Sequence, residues 1–285
     1  MILASVRAEW FKVVRRPATW VTVGLLLTFA VGIGYLITYL VATHPPHLAQ
    51  SQGSPPDLIA LRTDLYPASL VKKAMDNAST LDGLFALILG VLIQGSEYAW
   101  QTVKTAQTQL PGRLAVTLGR LIVLALLILL TVFALYAVDG LAAYLIALAD
   151  GKSTAFPPAA DIVRSIGAEW LIFEFMAMFG FGLATLFRQS AMAIGLGLAY
   201  ALIIESLVFG LLSALGASAR QIHNWFPVAS AGRLQHSFGD VSSIVGISIT
   251  SPGAVDTTLA VGVLIIWVCG LAVLSGALVR IRDIA

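Results

Sequence analysis

The sequence predicts an all-α polytopic membrane protein with six transmembrane helices, an N-terminal interfacial amphipathic helix and a second amphipathic helix between spans two and three. Three observations carry this prediction. Of 285 residues, 58% are hydrophobic and only 11% charged, with a mean hydropathy of +0.90. A soluble domain carries about a quarter charged residues, so this chain could not clothe its surface in polar groups and its solvent must be lipid. Six stretches approach the roughly 20 mostly apolar residues that a spanning helix needs. Finally, the polar stretch between the second and third spans keeps a helical period of apolar residues.

The expected spans are 20–42, 80–96, 115–138, 167–187, 191–214 and 258–279. The second is short, because 77–82 is polar and Gln94 to Glu97 ends it early. The third reads as apolar to Leu148 but contains Asp139, near which it is expected to leave the membrane. With the N-terminus in the cytoplasm, the inner segments hold ten Lys and Arg and the outer ones seven, although the inner segments are about half as long. Both termini are therefore expected in the cytoplasm. A signal peptide is not expected, because the basic region and apolar run are too long and no A-x-A site follows.

Ahead of span one, Leu3, Val6, Trp10, Val13 and Pro17 recur at helical spacing among Arg7, Lys12, Arg15 and Arg16. Such a helix, over 1–19, is suited to lie in the headgroup layer, with Pro17 bending the chain into the membrane. Outside, 43–79 opens on a Pro-rich linker. Residues 215–257 are too apolar for a free loop and too broken by Gly, Ser and Pro to span, so an outer re-entrant or interfacial segment is expected.

Soluble chemistry is not indicated. A net charge of +2 gives no reason to expect nucleic acid. Gly151-Lys152-Ser153 mimics the end of a phosphate loop, but Ile146 stands where the first Gly belongs. His44 and His47 lack the central Glu of a zinc helix, and His223 and His236 stand apart from other ligands. No Ser, His and Asp are spaced as a catalytic group, and Asn77-Ala78-Ser79 is a triplet common by chance. Cys269, the single cysteine, is read as packing within an apolar run. We expect no enzyme activity, no metal and no cofactor in this chain.

Four carboxylates lie in or near spans, where an acidic group at mid-helix costs about 2.5–3.5 kcal/mol. Asp139 and Glu169 are expected as solvated rim residues. Glu174 lies deeper, and Glu205 sits in the apolar fifth span, either bonding a neighbouring helix or lining a watery path. Small residues repeat every four positions in that span, as Ala191, Gly195 and Ala199 and as Ala193, Gly197 and Ala201, with Gly180 and Ala184 in the fourth; this spacing permits close helix approach.

The segment between spans two and three reads EYAWQTVKTAQTQLPGRLAVTLGR. Trp100, Val103, Ala106 and Leu110 share one helix face, opposite Gln101, Lys104, Thr105 and Thr108, and Pro111-Gly112 ends the helix. It resembles the corresponding segment of ABC-2 type transporter permeases, the membrane subunits of bacterial ATP-driven exporters. Glu97-Tyr98 matches the family's acidic-aromatic pair, Thr102 its Thr and Lys104 its basic residue. Pro111 with Arg113 matches the turn, and Arg120 the basic residue opening the next span. Gln101 departs from the usual Gly, and Gln107 and Gln109 from more apolar residues.

The resemblance implies a single transmembrane domain over 1–285 and a cytoplasmic coupling helix over 96–113. It implies ATPase contact through Glu97, Tyr98, Trp100, Thr102, Lys104 and Arg113, with ATP and Mg held by a separate cytoplasmic ABC ATPase subunit. A second permease copy or a related permease is the implied membrane partner, besides lipid. Spans two and five would border the transport path, making Glu205 and Glu174 candidate path residues. The implied setting is the bacterial inner membrane and the implied cargo hydrophobic or amphipathic. A proton-coupled secondary transporter using Glu174 and Glu205, and a non-transporting membrane scaffold, are the alternative functions.

Overall fold

The computed structural model describes residues 2–44, 58–76, 78–99, 113–214, 225–239 and 257–281, with the side chains of 97–99, 113, 114, 206, 209 and 212–214 outside that description. The described chain is all-helical. Helix α1 (Ile2–Arg15) is followed by α2 (Pro17–Thr43), α3 (Leu58–Thr63), α4 (Leu70–Met75), α5 (Leu81–Ala99), α6 (Arg113–Ala149) and α7 (Ala159–Phe187). Next come α8 over 190–214, the short α9 (Pro227–His236) and α10 (Thr257–Ile281).

Four of these helices, α2, α6, α7 and α10, are long and apolar enough to cross a membrane. The sequence led us to expect six. The other two expected spans fall on shorter apolar helices, Leu81–Ser96 within α5 and Ser190–Ile204 within α8. At 1.5 Å per residue each apolar stretch is about 22–24 Å long, short of a hydrocarbon core of about 30 Å. In α8 the helical backbone nevertheless continues, through a π-helical turn at Tyr200–Ile204 into Glu205–Ala214.

Helix α7 is the axis of the fold. Two thirds (67%) of its most apolar window is buried, against 22% for α2 and 28% for α10. It packs on α5, α10, α8 and α6, and its Phe173, Phe175 and Phe181 are completely enclosed. The α5–α7 contact depends on glycine. A Cβ on Gly90 would strike the Ala177 backbone, and one on Gly180 the Leu87 carbonyl. Small residues let the two backbones approach closely, and in the absence of a water-driven hydrophobic effect it is this packing that holds membrane helices together. Gly197 meets Leu87 and Leu183 in the same layer, whereas Gly195 on the adjacent stripe of α8 faces open space. One of the two small-residue stripes in the fifth span is therefore internal packing.

The surface is apolar. Along α6, Leu118, Ile122, Leu126, Leu130, Phe133, Leu141, Leu145 and Leu148 are exposed at helical spacing. Cys269, expected inside, is exposed on α10. An apolar stretch of sequence in a membrane helix does not say which face meets protein and which meets lipid, which explains the misreading.

Asp139 and Glu169 also depart from expectation. Helix α6 runs ten residues past Asp139, and both carboxylates are buried, 5% and 1% exposed. The reason is the covering chain: α4 packs on α6 and α7 at this end, and α9 packs on α7 and α10. Gln235 of α9 locks to the turn before α5, its amide donating to the Asp76 carbonyl at 2.6 Å while its oxygen accepts from the Ser79 amide at 3.0 Å. Helix α9 lies in the described part of the 215–257 segment, and eight of its residues, Pro227 to Gln235 except Arg233, are buried.

Replacing Gly180 by Val should cost about 1–3 kcal/mol of stability, typical of overpacking a closed contact. The measurement is thermal or chemical unfolding in detergent, with Gly195→Val as the tolerated control.

Candidate functional site

Two polar constructions stand out in this apolar bundle, one at each end. The first is where α1 meets the bundle. Arg16 has extended backbone and Pro17 occupies the first turn of α2, so the chain turns sharply between the two helices. Helix α1 then lies against α6 with Ser5, Glu9 and Val13 buried at four-residue spacing. Gly119 of α6 makes room for Ser5. Val6 and Trp10 pack partly against the core with Val13, while Leu3, Phe11 and Val14 are exposed. Val6, Trp10 and Val13 of the periodic stripe thus dock α1 on the protein, while Leu3 from the same stripe faces outward with Phe11 and Val14.

Glu9 is the centre of this end. Its carboxylate lies 2.9 Å from Lys12 and 3.4 Å from Arg120 of α6. Arg120 also donates to Gln94 of α5 at 3.2 Å, and Arg16 donates to Ser96 at 2.6 Å and to the Ile93 carbonyl at 3.5 Å. Arg120, Glu9, Arg16 and Gln94 are all buried. A buried arginine needs a carboxylate or other acceptors to offset its lost hydration; Arg120 has Glu9 and Gln94, and Arg16 has the Ser96 hydroxyl and the Ile93 carbonyl. Its effect is geometric. It fastens α1 to the last turns of α5 and the first turns of α6, the two helices that flank residues 100–112.

The sequence-derived contact residues cluster on that flanked stretch. Glu97 and Tyr98 belong to the last turn of α5 and Arg113 opens α6, but their side chains fall outside the described residues. Trp100, Thr102 and Lys104 lie outside the described residues altogether. Sequence reasoning placed Gln94 at the end of the second span and Arg120 at the opening of the third, but missed that they meet and that Glu9 joins them. Polarity at a helix end was visible; partnership across 26 residues, as between Gln94 and Arg120, was not.

At the opposite end, Glu205 is 1% exposed and accepts hydrogen bonds from the backbone amides of Val228 at 3.2 Å and Ala229 at 2.6 Å. It therefore caps the N-terminus of α9 from a neighbouring helix, where the helix dipole favours a carboxylate. Glu174 is buried on α7, and its Oε2 has no hydrogen-bond partner among the described residues. The two candidate path residues thus have different surroundings.

This end is also tied by Asp150, just past α6. Its carboxylate accepts from Arg62 at 2.8 and 3.0 Å, from Tyr66 at 3.0 Å and from Tyr39 at 3.3 Å. One side chain thereby joins α2, α3 and the loop after it to the end of α6. The Arg62 hydrogen bonds hold the Asp150 carboxyl below its usual range, aided by the Tyr66 and Tyr39 hydroxyls. Asp76, by contrast, is pushed up by burial, against the pull of Lys73 at 3.4 Å.

No family model matches the sequence, and no curated protein matches it either. What the fold defines is a class: with four helices of spanning length, an apolar exterior and buried polar ends, the chain is a helical membrane protein.

Because the folded-state pKa of Asp150 is lowered, its clasp contributes fully above the unfolded carboxyl value of about 3.9 and is lost as pH falls through the lower folded value. Acid titration of unfolding should show this loss in the wild type. Asp150→Asn should be less stable at neutral pH and lack that part of the acid dependence. Glu205→Ala, which strips two amides of α9 of their acceptor, should cost about 1–3 kcal/mol and loosen α9, read by amide hydrogen exchange at Val228 and Ala229.

Proposed function

We propose that the chain is the permease subunit of an ABC exporter, moving a hydrophobic or amphipathic substrate with energy from a separate cytoplasmic ATPase. The observation that carries the reading is the buried network of Glu9, Arg16, Gln94, Ser96 and Arg120. It grips the two helices on either side of residues 100–112 and adds α1 as a third member. A helix that only rested on lipid would need no such anchorage. One that passes a push from a partner into the bundle needs stiff ends, since loose ends would absorb the displacement locally.

In this reading, the ATPase bears on Glu97, Tyr98, Trp100, Thr102, Lys104 and Arg113. Its movement enters α5 and α6 together. The close α5–α7 contact at Gly90 and Gly180 then carries it to the central helix, because backbones in direct contact cannot slide without repacking. Spans two and five, here α5 and α8, border the path, with Glu205 and Glu174 as its acidic residues. ATP and Mg belong to the partner. The chain is a multi-pass protein of the bacterial inner membrane with both termini in the cytoplasm, and it works as a pair of permeases.

Copurification from detergent tests the partnership: an ABC ATPase subunit should accompany the wild type, and Lys104→Glu should reduce its recovery. In a reconstituted complex, Glu9→Gln should keep the ATPase bound while lowering export at least tenfold relative to ATP turnover. Purification without any ATPase, or export unchanged in both variants, would contradict the proposal.

A further inference from the structure

At the end opposite α1, carboxylates gather where α2, α4, α5, α6 and α7 meet. Asp76, Asp82, Asp139 and Glu169 are between 1% and 8% exposed. Facing them from α4 is Lys73, its side chain 8% exposed and its ammonium 3.4 Å from Asp76. The charge of Lys73 also reaches Asp82 and Asp139. Lys72 acts on Asp76 but forms its own ion pair with Asp64 at 2.7 Å. Asp82 and Asp139 repel one another, and both repel Glu169. With Asp76 matched to Lys73, three carboxylates remain.

A second observation is independent of the acidic residues. Tyr35 of α2 is 2% exposed, lies within electrostatic reach of Asp139, Asp76 and Tyr136, and its hydroxyl has no hydrogen-bond partner among the described residues. Tyr136 of α6 lies near Glu169 and Ser165. Asp139 Oδ1 and Glu169 Oε2 are likewise buried and unmatched. Moreover, Tyr35 sits in a π-helical stretch of α2, Ala30–Ile37. Such a departure from the regular helix recurs at functional sites. Several buried hydroxyl and carboxyl oxygens in this part of the bundle thus have no hydrogen-bond partner among the described residues.

Three ionised carboxylates cannot sit together in such surroundings. An isolated buried carboxylate takes a proton rather than bear its desolvation, and like charges at one site reinforce this. A metal ion would be the other remedy, but no three His, Cys, Asp or Glu among the described residues converge closely enough to ligate one. We infer that Asp82, Asp139 and Glu169, assisted by the hydroxyls of Tyr35 and Tyr136, form a proton-binding site in the half of the bundle opposite α1. Its ligand is H⁺ taken from water on that side, each uptake converting one carboxylate to a carboxyl. The groups share their protons and titrate as a set. Loading neutralises charge beneath the α4 and α9 cover; unloading places mutually repelling carboxylates there. The site is separate from the α1 network and does not depend on the permease reading.

Infrared spectroscopy of the full chain in lipid nanodiscs tests this through the carbonyl stretch of protonated carboxyls, in water and in deuterium oxide. At neutral pH the wild type should show a band that shifts on deuteration and disappears, over a range wider than a single group, as pH rises. Asp139→Asn and Glu169→Gln should each remove part of the band. Relief of repulsion should move the remainder about one unit toward lower pH. Tyr35→Phe, which removes only a hydroxyl, should shift the band's frequency while keeping its area. The wild-type titration decides the matter even if the carboxyl variants do not fold. No band at neutral pH, a band that never titrates while the protein is folded, or loss of the band on exchanging choline for sodium would overturn the inference.

Discussion

Glu9 and Arg120 meet inside the bundle 3.4 Å apart, and the geometry of the α1 end follows from that meeting. Neither side chain can be buried alone. A charge left unmatched in such surroundings costs several kcal/mol, so Glu9 holds α1 on α6 as firmly as Arg120 holds the opening of α6 near Gln94. Lys12 and Arg16 complete the arrangement, and Pro17 fixes the direction in which α2 departs. Three elements that could otherwise move separately become one block.

The remainder of the fold obeys the constraint that lipid offers no hydrogen bonds. Polar side chains are tolerated only where other protein covers them, so most collect at the two ends, with Glu174 buried near the middle of α7. At the α1 end Glu9 pairs with Lys12 and Arg120, while Arg16 donates to Ser96 and the Ile93 carbonyl. At the other end some are matched, as Asp150 is by Arg62, and others are not, as with Asp139 and Glu169. Between the ends, α7 is surrounded by apolar neighbours and held to α5 by backbone contact at two glycines.

The sequence made the helical class and the positions of all six apolar segments readable, because apolar length and period are local properties. It also showed the break at Pro17, whereas most of the helix expected over 96–113 lies outside the described residues. Burial was harder to see. Asp139 and Glu169 stand at the depth where a rim is expected, and only the cover of α4 and α9, distant in sequence, makes them interior. Glu205 was recognised as needing a partner, but the partner turned out to be backbone amides, which carry no residue signature. Cys269 shows the converse error, since lipid and protein interior ask for the same apolar residues.

The rigidity of the α1 block is most directly measured by a double-mutant cycle on Glu9→Gln and Arg120→Met, with unfolding free energy as the readout. If the block is held as described, each single change costs about 3–5 kcal/mol and the double change about 1–3 kcal/mol less than their sum. Strict additivity, with each change costing under about 1 kcal/mol as at an exposed ion pair, would contradict it.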